Sequence, residues 1–411
     1  MNYYRKNSYF FLSKLRYDDM EPIDESEIKN YDGIIYLLKQ SDPMTSRRGF
    51  KLMSVNQIES KNEDISIIEN QKEVEGYPEW IYDKISKGLV KVINTDYPEW
   101  EAELTTLPIR WNVNIFALGD VGSTLAIGLR LLGKNINLIG IYDRNQNRLK
   151  RWEHELGQIR KPFDERAFAP IKVIEKEELF NCDMFIFCAS SGIPPVGSGV
   201  SDVRMAQFEK NRQIISEYAK IARNMNFKGY FSVVSDPIDP LCKSVFLESN
   251  KNEEGKFDFQ GLASNKIIGF GLGVMNARAA FYSEQSPELS HYIDEGTVFG
   301  PHGNGLIVAD SINNYNHEKS LILTENTVNA NLKIREFGFK PYIAPSLSSG
   351  SLSIISAIEG DYFYGSSLMG EAYMGSKVRL TDSGLEVTQY NLHPLLKQRL
   401  ENTYNDLRSI I

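Results

Sequence analysis

A chain of 411 residues with 42% hydrophobic side chains can bury two or three domain cores, which excludes disorder as its default state. Its net charge of −8 argues against a nucleic-acid surface, where a basic stripe would be expected. No apolar run approaches the ~18 residues of a membrane span. The three cysteines (Cys182, Cys188, Cys242) and five histidines show no ligand spacing, so no metal is expected. Reduced thiols and the lack of a leader peptide point to a cytoplasmic protein.

Residues 1–108 read as a small α+β extension. Ser8–Leu12 and Gly33–Leu38 are candidate strands, followed by a polar, acidic stretch from Glu59 to Glu75. Tyr-Pro-Glu-Trp occurs twice, at Tyr77–Trp80 and Tyr97–Trp100. After the first copy Trp80, Ile81, Ile85, Leu89 and Val90 fall on one helical face, with Pro78 suited to a first turn. The extension is either a structural cap or a surface for a protein or peptide partner.

The stretch Ile115-Phe-Ala-Leu-Gly119-Asp120-Val121-Gly122-Ser-Thr-Leu-Ala126 reads as a buried strand, a tight glycine turn and a helix start. A second strand, Leu138–Tyr142, ends at Asp143, 21 residues beyond Gly122. Unpaired N–H groups at such a helix start, with the positive end of its dipole, suit a pyrophosphate. The glycines permit close approach, and the acid accepts bonds from a ribose diol. Ala117 stands where the first glycine of the pattern is usual. A carboxylate at Asp143 favours NAD over NADP, although Arg144 follows it.

Strands are predicted at Val113–Leu118, Ile136–Tyr142, Ala169–Ile174, Met184–Ala189 and Tyr230–Val234. Helices are predicted at Ser123–Leu132, Arg144–Glu155 and Arg204–Asn224. This alternation implies βαβ units and a Rossmann-type parallel sheet, with ligands at the carboxyl ends of its strands. Ile267–Phe281 runs into a helix, and Asp294–Asp310 suggests a hairpin. Lys340–Leu400 mixes a small-residue helix with strands near Tyr362 and Val378, ahead of a final helix from about Leu395. The expected fold class is α/β. Residues 109–265 are expected to form an NAD-binding domain and 266–411 an α+β second domain, behind the 1–108 extension.

The glycine turn, Asp143, Cys188-Ala-Ser-Ser-Gly-Ile-Pro-Pro195, Asn211, Val233-Val-Ser-Asp-Pro-Ile-Asp239, Ile268-Gly-Phe-Gly271 and Gly300-Pro-His-Gly303 stand in an informative order. The order resembles that of the lactate/malate dehydrogenase family over roughly residues 111–411. The resemblance implies an NAD-dependent oxidoreductase that interconverts 2-hydroxy and 2-oxo acids, usually as a homo-oligomer. It implies that Gly119, Asp120, Val121, Gly122, Asp143, Ala189, Ser190 and Gly192 hold the cofactor. Arg204, seven residues before Asn211, resembles the group that polarises the substrate carbonyl. Arg278 looks like the carboxylate clamp, whose planar fork matches a carboxylate. His302 resembles the proton donor.

Departures from the family narrow the expectation. Met275 occupies the place of the aspartate that orients the histidine, and a thioether cannot fix an imidazole tautomer as a carboxylate does. Asp236, where a substrate-facing asparagine is usual, is a candidate relocated partner for His302. Pro301 and Asn304 replace a glutamate and an aspartate. The loop Gly192–Val203 holds no Lys or Arg, so a second substrate carboxylate would be desolvated without a partner. A neutral or apolar side chain is therefore expected rather than that of malate. The loop is about three residues longer than usual, with Gly197 and Gly199 as hinges of an expected lid. Two alternatives stand beside a small-acid dehydrogenase. One is an NAD(H)-binding sensor or assembly partner without turnover. The other is a tailoring dehydrogenase acting on a carrier- or peptide-linked substrate.

Overall fold

The computed structural model describes residues 1–60, 62–72, 74–191 and 203–411, with main chain alone at 203–206. Its first layer is a six-stranded mixed sheet. The strands are β1 (Asn2–Lys6), β2 (Tyr9–Ser13), β3 (Glu21–Pro22), β4 (Ile35–Lys39), β5 (Gly49–Lys51) and β6 (Val90–Asn94), in the order β3-β1-β2-β4-β6-β5. The helix Glu79–Ser86 lays Trp80 and Ile81 on Leu12, Ile35, Leu37 and Val92. The predicted helical stripe therefore ends with the helix at Ser86, so Leu89 lies beyond it and Val90 begins β6. The two Tyr-Pro-Glu-Trp copies take different roles. The first starts that helix, whereas the second buries Tyr97 and opens a short 3-10 turn, Trp100–Glu103.

The remaining strands form one nine-stranded sheet and a hairpin. The sheet contains β7 (Trp111–Phe116), β8 (Ile136–Tyr142), β9 (Ile171–Val173), β10 (Met184–Phe187), β11 (Tyr230–Val233) and β12 (Ile267–Gly269). The hairpin strands are β13 (Thr297–Phe299) and β14 (Ile307–Ala309), and β15 (Tyr362–Met369), β16 (Ala372–Thr381) and β17 (Gly384–Val387) complete the sheet. Its order is β17-β16-β15-β12-β11-β10-β7-β8-β9, in which β9 to β12 are parallel and β15 to β17 join antiparallel. The parallel part has the doubly wound order with its switch point between β7 and β10, where α/β sheets open a ligand crevice. Val113, Ile115, Met184 and Ile186 are fully buried there. Each contributes about 1.5–3 kcal/mol through burial, and only strands covered on both faces are so apolar.

The first layer is fastened to this body by polar contacts. Glu103 lies 3.1 Å from Arg48 Nε, 3.0 Å from Lys91 Nζ and 3.2 Å from Asn265 Nδ2, all buried. Burial opposes ionisation of Glu103, yet Lys91, Arg48 and Lys266 together hold its carboxyl well below the usual range. Burial lowers Lys266, which lies 4.2 Å from the Tyr230 ring centre. Lys51 Nζ donates to Glu386 Oε2 at 2.6 Å, and β5 lies against β17, so the layer covers that sheet edge. The polar stretch 59–75 is clipped to Tyr390 by main-chain bonds at Ile68 and Asn70, with Ile67 and Ile68 buried. Among the described residues no helix is long and apolar enough to cross a membrane.

Candidate active site

The glycine turn follows β7 directly. Ala117 adopts φ +73°, the left-handed region that glycine enters freely and alanine only with strain. Leu118 N donates to Asp143 Oδ2 at 2.7 Å, and Gly119 caps the helix Asp120–Leu132. The two glycines serve different ends. A Cβ on Gly122 would sit 2.0 Å from the Ala117 carbonyl oxygen, so this glycine lets helix and strand meet. A Cβ on Gly119 would meet no protein atom within 4 Å, so open space lies over the first N–H groups of the helix. Asp120 and Val121 occupy its first turn, and Asp120 Oδ2 lies 3.0 Å from Lys340 Nζ.

Asp143 is 3% exposed, and its carboxylate braces the turn. Oδ2 accepts from Leu118 N and from Arg148 at 3.2 Å, while among the described residues Oδ1 accepts only from Asn145 N at 2.8 Å. Arg144 is held by Glu217 at 2.9 Å and by the Tyr218 hydroxyl at 3.1 Å.

Asn211, fully buried on the helix Val203–Asn224, ties together the segments after β10 and β11. Its Oδ1 accepts from Ser191 N at 2.8 Å, and its Nδ2 donates to the Asp236 carbonyl at 2.7 Å. Ser235 Oγ donates to the Ala189 carbonyl at 2.7 Å. Ala189 and Ser190 therefore stand beside the glycine turn, at the switch point. Arg204 is the second residue of the Val203–Asn224 helix. Gly192, Gly197 and Gly199 lie outside the described residues, as does the Arg204 side chain.

His302 Nδ1 lies 2.7 Å from Asp236 Oδ1. The histidine sits in the β13–β14 connection between Gly300 (φ +91°) and Gly303 (φ +134°), conformations that favour glycine, so the loop folds tightly around it. Gly300 N donates to the Gly375 carbonyl at 2.9 Å, which anchors the loop on β16. Arg278 projects from the helix Leu272–Ser283, with Nη1 3.7 Å from Met275 Sδ. Burial lowers the Arg278 pKa, and the nearby Asp236 charge partly opposes that shift. Among the described residues no carboxylate lies within ion-pair distance of Arg278. Asp236, His302 and Arg278 thus converge from three separate elements at the carboxyl end of β11.

Two supports escaped sequence reasoning. Asp239, buried in the first turn of the helix Ile238–Ser249, accepts from Ser366 Oγ at 2.6 Å, and burial pushes its carboxyl up to about 7. Ser349 accepts from Val274 N at 2.8 Å and donates to the Gly271 carbonyl at 2.6 Å, which fixes the start of the Arg278 helix. Ser349 belongs to the π-helical segment Pro345–Leu352, a form frequent at functional sites. Asp239 followed a quoted motif, but only burial sets its protonation. Among the described residues no group of His, Cys, Asp or Glu is arranged to hold a metal ion. A small hollow beside the buried Arg47–Glu63 pair holds about 20 Å³, room for a water molecule and no substrate.

No family profile matches the chain. In sequence it is similar to L-lactate dehydrogenase 2 of Staphylococcus aureus strains JH9 and Newman, 23% identical over 187 residues, which is 45% of this chain and 52% of that protein. The chain therefore matches about half the length of these curated relatives. In structure it is similar to the minor L-lactate dehydrogenase from Enterococcus mundtii in its ligands-bound form (TM-score 0.59, 17% identity, 74% of this chain and 98% of that one). It is similar also to malate dehydrogenase from Archaeoglobus fulgidus in complex with NADH (TM-score 0.58, 18% identity, 73% and 98%). The chain has the fold of these lactate and malate dehydrogenases.

Proposed function

We propose that the protein is an NAD-dependent oxidoreductase that interconverts a 2-hydroxy acid and a 2-oxo acid. One observation carries the assignment: the Asp236–His302 pair stands at 2.7 Å beside Arg278, a cation without a carboxylate partner among the described residues. The open space at Gly119, over the N-terminus of a 13-residue helix, fits a pyrophosphate. Gly119, Asp120, Val121 and Gly122 would hold it, with Ala189 and Ser190 at the neighbouring strand end; the resemblance adds Gly192, which lies outside the described residues. Asp143 Oδ1, which accepts a single main-chain bond, retains capacity for a ribose hydroxyl. Both nearby arginines already pair with carboxylates, which favours NAD over its 2′-phosphorylated form. When bound, the nicotinamide supplies or accepts the hydride.

The chain's own residues supply the remainder. Arg278 would grip the substrate carboxylate with its planar fork. Asp236 accepts the Nδ1 proton of His302, which fixes the tautomer and leaves Nε2 to carry the proton exchanged with the substrate oxygen. Arg204 would stabilise negative charge on that oxygen. In this scheme residues 109–265 serve the cofactor, 266–411 the substrate, and 1–108 support the β17 edge and present a surface for partners. A homo-oligomer is consistent with exposed Phe281, Phe337 and Phe339, and light scattering measures it.

The test is NADH consumption by the purified protein against a panel of 2-oxo acids, with NADH fluorescence read in parallel. Turnover that is lost in His302→Ala is the expected outcome. A fluorescence change without turnover on any acid would replace the assignment with a cofactor-binding role.

A further inference from the structure

Asp236 holds more acceptor capacity than His302 uses. Its side chain is 45% exposed against 16% for His302, and only Oδ1 is engaged; Oδ2 has no hydrogen-bond partner among the described residues. The residue is held in place at both ends: Asn211 Nδ2 donates to its main-chain carbonyl at 2.7 Å, and Oδ1 of its carboxylate meets His302 Nδ1. It therefore stands at the carboxyl end of β11 with free lone pairs, close enough to Arg278 for its charge to act on the guanidinium. Hydrocarbon placed against Oδ2 would strip water from an anion and return nothing. A second substrate carboxylate would meet like charge. A hydroxyl or ammonium group would replace the lost water with a charge-assisted hydrogen bond.

Resting on the oxidoreductase assignment above, we infer that Asp236 determines substrate choice as well as orienting His302. The substrate is a 2-oxo or 2-hydroxy acid bearing a hydroxyl or ammonium group on the carbon next to the reacting one, received by Asp236 Oδ2. Arg278 takes the acid group, so the two ends of the substrate are told apart by charge. This narrows the neutral-or-apolar expectation drawn from the loop 192–203 to side chains that donate a hydrogen bond.

Pyruvate and 3-hydroxypyruvate differ by one hydroxyl at that carbon and make a matched pair. With the full chain and NADH, kcat/KM for 3-hydroxypyruvate is expected to exceed that for pyruvate by about ten-fold or more, the discrimination of one hydrogen bond to a charged group. Binding of each acid to the protein–NADH complex, followed by NADH fluorescence, gives a Kd ratio that survives loss of turnover. In Asp236→Ala that ratio should fall to near one. Equal or better use of pyruvate, or an unchanged Kd ratio in Asp236→Ala, overturns the inference and leaves the oxidoreductase assignment standing. Turnover of neither acid, nor of any other 2-oxo acid, overturns that assignment and the inference with it.

Discussion

His302 Nδ1 meets Asp236 Oδ1 at 2.7 Å, although 66 residues separate them and Met275 stands where the sequence resemblance leads one to expect an orienting aspartate. Met275, on the helix Leu272–Ser283, offers no carboxylate, and it is Asp236 at the end of β11 that engages Nδ1. Asp236→Asn should therefore lower kcat by about 100-fold or more, because the amide can hold the wrong tautomer and cannot balance an imidazolium. KM for the acid should change less than kcat. Steady-state kinetics of the variant decide the matter, and an unaltered kcat would end the role assigned to Asp236.

Gly119 and Gly122 should respond in opposite ways to alanine. At Gly119 φ is −70° and the added Cβ meets no protein atom, so Gly119→Ala should keep the wild-type Tm while weakening NADH binding by crowding the pyrophosphate. At Gly122 the Cβ would lie 2.0 Å from the Ala117 carbonyl, and Gly122→Ala should lower Tm outright. Thermal melts with and without NADH separate the two effects. Equal destabilisation by both would remove the cofactor role of Gly119.

Asp239 makes stability depend on pH. Burial raises its pKa from 3.8 to about 7. Between those values the folded chain keeps a proton that the unfolded chain has released, so the folded state binds more protons and stability declines as pH rises. Asp239→Asn lacks this slope. Its Tm relative to wild type should increase between about pH 4 and pH 7 and level off above that. A difference that stays constant across that range would show that Asp239 is ionised in the folded protein.

Glu103 is the only carboxylate among the described residues in ion-pair range of Arg48 and Lys91, and its charge also acts on Lys266. Glu103→Gln would leave these cations buried without an anion, a change that costs about 3–5 kcal/mol. Because Asn265 and Lys266 lie immediately before β12, the loss should loosen the contact between residues 1–104 and the nine-stranded sheet. Limited proteolysis is expected to cut first in the exposed 105–110 connection. A Tm within experimental error of wild type would contradict this.

Periodicity alone placed the strands and helices from Trp111 to Val234, since a strand buried on both faces must be apolar throughout and a covering helix must carry an apolar stripe. The turn was legible in its two glycines: only glycine tolerates the contact with the Ala117 carbonyl at Gly122, while Gly119 leaves the helix start open, and the ordered motifs pointed to Asp236, Arg278 and His302. Other features are properties of neighbours that no local pattern records. The strands β15 to β17 continue the same sheet because backbone edges pair wherever they meet, so the expected α+β unit has no sheet of its own for these strands. The identical Tyr-Pro-Glu-Trp segments diverge because one faces an apolar sheet and the other a polar junction with Ser46 and Ser264. Asp143 could be placed at a strand end by sequence, but its bonds to Leu118 N and Arg148 depend on how the turn folds back over it. The protonation of Asp239 and the free oxygen of Asp236 likewise follow from burial and packing, which are set only when distant parts of the chain are brought together.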